Sequence, residues 1–259
     1  MRIFFASLFI LPISFCSAEN SFSAGKETEN FIGKLNNNID VVFSLINNGG
    51  KLTGFYYYDK IGIEIKLIGE TVNGKTVLYE LNNQNKKQAK ITGTLTKNGF
   101  DGKWESLSTK KALILTLKPT NKPIPALPKN FVGAYSFYEK PCKLDIVITK
   151  NDNGYFYNFD STTRTLKGKV TFSRSLLENL VYINFNGIEW AEDDGDISNE
   201  PDKDEPNADL PTVIQGLLGE NEIIIQNYGN AMNHYLKVGE CDVKYIHLKK
   251  TGKKERIIN

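Results

Sequence analysis

Val41-Val42-Phe43-Ser44-Leu45-Ile46-Asn47-Asn48-Gly49-Gly50-Lys51-Leu52-Thr53-Gly54-Phe55-Tyr56-Tyr57-Tyr58 is the stretch from which the fold is read. Two apolar runs, 41–46 and 52–58, flank Asn-Asn-Gly-Gly, whose residues accept the positive φ angles of a tight reversal, so the runs are expected to pair antiparallel. Downstream, Ile63 to Ile68 and Lys90 to Leu95 alternate polar and apolar side chains as half-buried strands do. Asn73-Gly74 and Asn98-Gly99 mark further turns, and 76–81, 100–105 and 112–117 continue the pattern. About seven strands without a helical period predict a meander that closes into a small barrel or sandwich.

Four of the nine prolines fall in Pro119-Thr-Asn-Lys-Pro-Ile-Pro-Ala-Leu-Pro128. They remove backbone donors and favour an extended path, which makes this segment the expected linker between two domains. Domain one then spans 30–118, the linker 119–128 and domain two 129–250. A polar arm at 19–29 and a tail at 251–259 flank them. Domain two opens with Asn130-Phe131-Val132-Gly133-Ala134-Tyr135, which echoes Asn30-Phe31-Ile32-Gly33-Lys34-Leu35. Its Gly133-Ala134-Tyr135-Ser136-Phe137 also echoes Gly54-Phe55-Tyr56-Tyr57-Tyr58. Strands are expected at 143–149, 155–160, 168–172, 181–185, 222–226, 234–238 and 243–248, with single helical turns at 175–180 and 210–218. The fold class is mainly β: two small antiparallel barrels or sandwiches joined by a Pro-rich linker.

Arg2, the apolar run Ile3 to Phe15 and the small residues Cys16-Ser17-Ala18 have the form of a cleaved secretory leader over 1–18. The expected location is the periplasm or the secreted fraction. Loss of the leader leaves Cys142 and Cys241 in an oxidising compartment, where they are expected to form one disulfide across domain two. The formal charge of +2 gives no global field for nucleic acid. After the leader, no apolar run is long enough for a transmembrane helix.

The sharpest local feature is the acidic segment Glu189 to Asp209, which includes Glu192, Asp193, Asp194, Asp196, Glu200, Asp202 and Glu205 against the single base Lys203. Like charges and two prolines keep such a segment extended and solvated. With Trp190 as an aromatic anchor, Glu192, Asp193, Asp194, Asp196, Glu200 and Asp202 form a surface that would steer a basic protein partner. Asp194, Asp196, Ser198 and Glu205 approximate the 1, 3, 5 and 12 positions of a calcium loop, with Asn199 where glycine is required. Trp190 would alternatively plug a barrel end. The amides of 226–235 read as a self-bonded turn or as a surface for a glycan or peptide. Of Tyr56, Tyr57 and Tyr58, which alternate faces, at least one is expected to be exposed.

No catalytic signature is present. Neither His234 nor His247 has zinc-binding spacing, and no nucleophile elbow or phosphate loop occurs. No catalytic residue and no cofactor other than calcium is therefore assigned, and the protein reads as a non-enzyme. A glycan hydrolase would need two carboxylates, such as Glu189 with Asp193.

Gly54-Phe55-Tyr56-Tyr57-Tyr58, Ile65-Lys66-Leu67-Ile68-Gly69, Gly93-Thr94-Leu95 and Gly102-Lys103-Trp104-Glu105 resemble the small calycin-like β-barrels exported by Gram-negative bacteria. The resemblance covers domain one alone. It implies an envelope barrel, and some such barrels inhibit lysozymes or neutralise toxins. Domain one has no cysteine, so it departs from the cysteine-anchored pattern of membrane-bound C-type lysozyme inhibitors. The function expected from the whole sequence is a binding or inhibitory protein that engages a basic partner, a lysozyme-like hydrolase or a toxin, through the acidic segment.

Overall fold

A computed structural model describes residues 27–196, 209–230 and 232–252 of the chain. The expected leader at 1–18, residues 19–26 of the expected arm and residues 253–259 of the expected tail lie outside the described residues. Among those described there is no helix. Strands β1 (Glu27–Leu35), β2 (Ile39–Asn48), β3 (Lys51–Tyr58), β4 (Ile65–Val72), β5 (Lys75–Leu81), β6 (Lys87–Thr96), β7 (Gly99–Ser106) and β8 (Ala112–Pro119) form a closed antiparallel barrel in chain order.

The opening hairpin forms as its turn chemistry requires. Asn48 faces Lys51 across the two-residue reversal. Gly49 and Gly50 take φ of 59° and 88°, and the Asn47 side chain accepts the Gly50 N–H at 3.0 Å. Inward positions alternate with outward ones along the strands, and Phe31, Phe43, Leu45, Leu67, Leu78, Ile91 and Leu117 fill the interior. Eight strands enclose just enough room for side chains. A cavity of about 10 Å³ remains among Phe31, Phe43, Leu45 and Ile91.

The second barrel repeats this plan with an excursion. Its strands β9 (Gly133–Glu139), β10 (Cys142–Asn151), β11 (Gly154–Ser161), β12 (Thr165–Ser175), β13 (Leu180–Asn186), β15 (Val213–Leu218), β16 (Glu222–Gln226) and β18 (Tyr245–Thr251) also close in chain order. A separate two-stranded ribbon, β14 (Glu192–Asp196) with β17 (Asn233–Leu236), is inserted between them. Leu144, Ile146, Phe159, Phe172, Phe185, Ile223 and Leu248 are among the side chains of its core. The first echo motif falls at the start of each barrel, where Phe31 and Phe131 are both buried. The second does not correspond, because Gly54 lies in the third strand of its barrel and Gly133 in the first.

Several local expectations are corrected. The arm is shorter than 19–29, because Glu27, Thr28 and Glu29 pair with Asn47, Ile46 and Leu45. This adds an eighth strand to barrel one, which β8 closes by pairing Phe31 with Pro119 and Leu35 with Leu115. The tail begins after Thr251, which pairs with Ala134. Residues 213–218 form β15 and not a helical turn. The apolar spacing at Ile214, Leu217 and Leu218 suits either period, but the place between β13 and β16 needs a strand, and Ile214 pairs with Phe185 to supply it. Residues 176–179 form the turn between β12 and β13, with Asn179 at a φ of 57°.

None of the three consecutive tyrosines is exposed. Tyr56 points inward and Tyr58 is half-buried, while outward-facing Tyr57 is covered by barrel two. The Arg174 guanidinium lies 3.9 Å from the Tyr57 ring centre. It also donates to Gly62 O at 2.8 Å, to Pro125 O at 2.8 Å and to Glu64 Oε1 at 3.0 Å. The Leu127 N–H donates to the same carboxylate oxygen at 2.6 Å. Gly62, at a φ of 68°, packs so closely on Phe172 that a Cβ there would lie 2.0 Å from Phe172 O. One buried arginine thus joins β12, the chain after β3 and the Pro-rich segment.

Candidate functional site

The acidic segment is anchored at both ends. Gly187 N–H donates to Thr212 O, Trp190 N–H to Pro211 O, and Ala191 N–H to Leu236 O. These bonds stitch the entering chain to the returning one and to the ribbon. Glu192–Asp196 then runs as β14 along β17, with a register shift between Asp193 and Gly195. The acids at 192–194 therefore stand on a paired strand and not on a free, solvated loop. The partner strand lies about forty positions away, and like-charge composition alone does not reveal such pairing.

Glu192 and Asp194 are exposed and Asp193 is half-buried. Asp194 Oδ2 lies 2.7 Å from His234 Nδ1 across the ribbon. For Asp196, the backbone pairs with Asn233. Glu200 and Asp202, and the calcium candidates Ser198 and Glu205, lie outside the described residues. Of the four proposed calcium ligands, the structure thus places the side chain of Asp194 alone, and one of its oxygens already faces a histidine.

Trp190 is half-buried against the barrel-two core. Its indole N–H donates to Val213 O at 2.7 Å, and its ring lies 5.1 Å from that of Tyr235. The tryptophan is therefore a shelf that fixes the ribbon on the barrel. Lys237 Nζ lies 5.0 Å from the Trp190 ring centre and 5.1 Å from that of Tyr235. Lys237 is only 8% exposed, and burial lowers its ammonium pKa.

A second anchor holds the base of the ribbon. Glu240 accepts from Ser161 and Thr163 hydroxyls at 2.7 Å each and from Arg164 Nε at 2.9 Å. Arg164 also donates to Glu189 O at 3.2 Å. Burial acts to raise the Glu240 carboxyl, but these hydrogen bonds outweigh it and hold the pKa down at about 2. The folded state therefore favours the ionised form. The resulting stability is complete above the ordinary value of 4.5 and is lost as pH falls from there toward about 2. Glu240→Gln should shrink the acid-induced fall in melting temperature over that window, read as the difference from the parent protein. Parallel curves would exclude Glu240 as an acid-sensitive anchor.

The amides of 226–235 mostly serve their own backbone. Asn230 Oδ1 accepts from the N–H groups of Met232 and Asn233, each at 2.9 Å. Asn227 is fully buried and bonds Val238, Cys241 and Val243. Cys142 and Cys241 form the disulfide, with Cα atoms 4.7 Å apart.

Besides the Arg174–Glu64 and Arg164–Glu240 pairs, sequence reasoning missed a polar centre in barrel one. Glu80 is an inward residue of β5 and 6% exposed. Its Oε1 accepts from Tyr56 Oη at 2.5 Å and from the Trp104 indole N–H. The available signal was positional. In Lys75-Thr76-Val77-Leu78-Tyr79-Glu80-Leu81, period-two alternation places Glu80 on the inward face with Thr76 and Leu78.

No protein-family model matches the chain, and no curated protein or solved structure is significantly similar to it.

Proposed function

We propose that this protein is a non-catalytic, exported binding or inhibitory module that takes a basic protein partner on the acidic ribbon. The observation that carries this reading is the placement of exposed Glu192 and Asp194 on a paired strand whose base is fixed by Trp190 and by the Arg164–Glu240 pair. Fixed anions lose little conformational entropy when they meet a cationic surface, and their field raises the encounter rate. The interior cavity among Phe31, Phe43, Leu45 and Ile91 of barrel one, at about 10 Å³, is too small for a carried ligand, which fits recognition on the outer surface. The partner chemistry is that of a lysozyme-like hydrolase or a basic toxin.

A panel of cationic muramidases provides the test, with affinity measured at about 0.01 M and about 1 M salt, where the screening lengths are roughly 30 and 3 Å. Binding is expected at low salt and should weaken at least tenfold at high salt. Glu192→Gln with Asp194→Asn should reproduce most of that loss without salt. Absence of binding at low salt, or binding indifferent to both salt and the two substitutions, would overturn the proposal.

A further inference from the structure

Glu80 is an expensive residue for the inside of a barrel. A desolvated carboxylate without a cation costs several kcal/mol, and no cation pairs with Glu80 among the described residues. Burial raises its pKa against the two hydrogen bonds that lower it. Both of those bonds go to Oε1. Oε2 makes no hydrogen bond with any described residue. The carboxyl sits where β3, β5 and β7 end, at one mouth of barrel one, and it lines an open cleft of about 630 Å³. Barrel mouths are a recurrent place for small-ligand sites.

The other groups of this cleft narrow the ligand class. Gln88 and Ser108 are exposed, Ser106 is half-buried, and part of the Trp104 ring completes the wall. Lys87 also lines it, with Nζ held 3.6 Å over the Tyr79 ring. The charges of Glu80 and Lys87 balance, so neither a strong cation nor a strong anion is favoured. The set offers an acceptor at Glu80 Oε2, donor and acceptor amide atoms at Gln88, hydroxyls at Ser106 and Ser108, and an aromatic surface. A neutral ligand with adjacent hydroxyls and one apolar ring face satisfies all of them. We propose that this mouth is a saccharide-binding site in which Glu80 Oε2 accepts a sugar hydroxyl, Gln88 and the serines engage its neighbours, and Trp104 supports the ring. The site is separate from the acidic ribbon and stands or falls independently of it.

The test uses the mature protein carrying Trp190→Phe, so that Trp104 is the sole tryptophan and its fluorescence and indole N–H resonance report the mouth. Soluble oligomers of N-acetylglucosamine, glucose and mannose are the probes, with spermidine as the cationic control. At least one oligosaccharide should perturb Trp104 saturably at millimolar or lower concentration, and spermidine should not. Glu80→Gln keeps an oxygen for the Tyr56 and Trp104 donors but presents an amide N–H₂ in place of the free acceptor. It should weaken saccharide binding at least tenfold while leaving the fold intact. Gln88→Ala, on an exposed side chain, should weaken it several-fold and guards against a folding defect in the first variant.

Acceptance by Oε2 also favours ionisation, so parent affinity should rise with pH through the Glu80 titration, whereas that of Glu80→Gln stays flat. No response to any oligosaccharide, a stronger response to spermidine, or unchanged binding in both variants would overturn the assignment.

Discussion

Arg174→Ala should split the unfolding of this protein into two transitions and lower its overall stability by about 3 kcal/mol, the low end for breaking a buried ion pair. The arginine side chain is 1% exposed and Glu64 is 22% exposed, so the pair is nearly but not fully desolvated. Truncation leaves the carbonyls of Gly62 and Pro125 without their guanidinium donors and uncovers the outer face of Tyr57. Glu64 would keep the Leu127 N–H and the weaker field of Lys150, and its pKa, already raised by burial, would rise further. Each barrel has its own closed ladder and core, so each should survive the loss while their coupling weakens. Scanning calorimetry should show a single transition for the parent and two for the variant. Arg174→Lys keeps the charge but not the planar fork, and should fall between them. A single variant transition within a degree of the parent would show that the guanidinium does not couple the barrels.

Tyr57 shows why this interface was hard to read in advance. Its outward position follows from strand alternation, and an outward tyrosine on an isolated barrel is exposed. Only the second barrel, whose arginine is more than a hundred positions away, decides otherwise. Local chemistry was legible where it acts locally: Asn47 to Gly50 specify the hairpin because the turn satisfies its own backbone there. Barrel closure was less so, since β1 meets β8 across the whole domain and the sequence of β1 alone carries a weak alternation. The acidic segment was visible by composition, yet its pairing with β17 was hidden because charge repulsion argues for solvation. Glu80 had a positional signal, but an acid in a strand usually lies on the wet face. Its burial becomes evident only when Tyr56 and Trp104, from two other strands, point at it.

Removal of the Cys142–Cys241 bond, by Cys142→Ser with Cys241→Ser, should cost barrel two about 2–5 kcal/mol and leave the barrel-one amides protected. The bridge closes a separation of 99 residues, and a loop of that length corresponds to about 4.7 kcal/mol of unfolded-chain entropy at most. The folded state has a second fastener at the same place. Asn227 Nδ2 donates to Cys241 O at 2.7 Å, to Val243 O at 3.2 Å and to Val238 O at 3.3 Å, and Oδ1 accepts the Val238 N–H at 2.7 Å. The disulfide ties residue 241 to β10, and Asn227 ties the same stretch to the end of β16. The cysteine-free protein should therefore still fold. Asn227→Ala leaves several buried backbone groups unpaired, at about 1–3 kcal/mol each, and should match or exceed the cost of losing the bond. One fastener constrains the unfolded chain and the other pairs groups in the native state, so the two costs should add despite their shared residue 241, where contacts within the native state would couple them by about 0.5–3 kcal/mol. Denaturant melts of the parent, the two variants and their combination measure this, with hydrogen exchange assigning the loss to β10 and residues 238–246. A combined cost well above the sum would place the disulfide's contribution in the native structure. Two free thiols in the intact mass of the parent would remove the cross-link altogether.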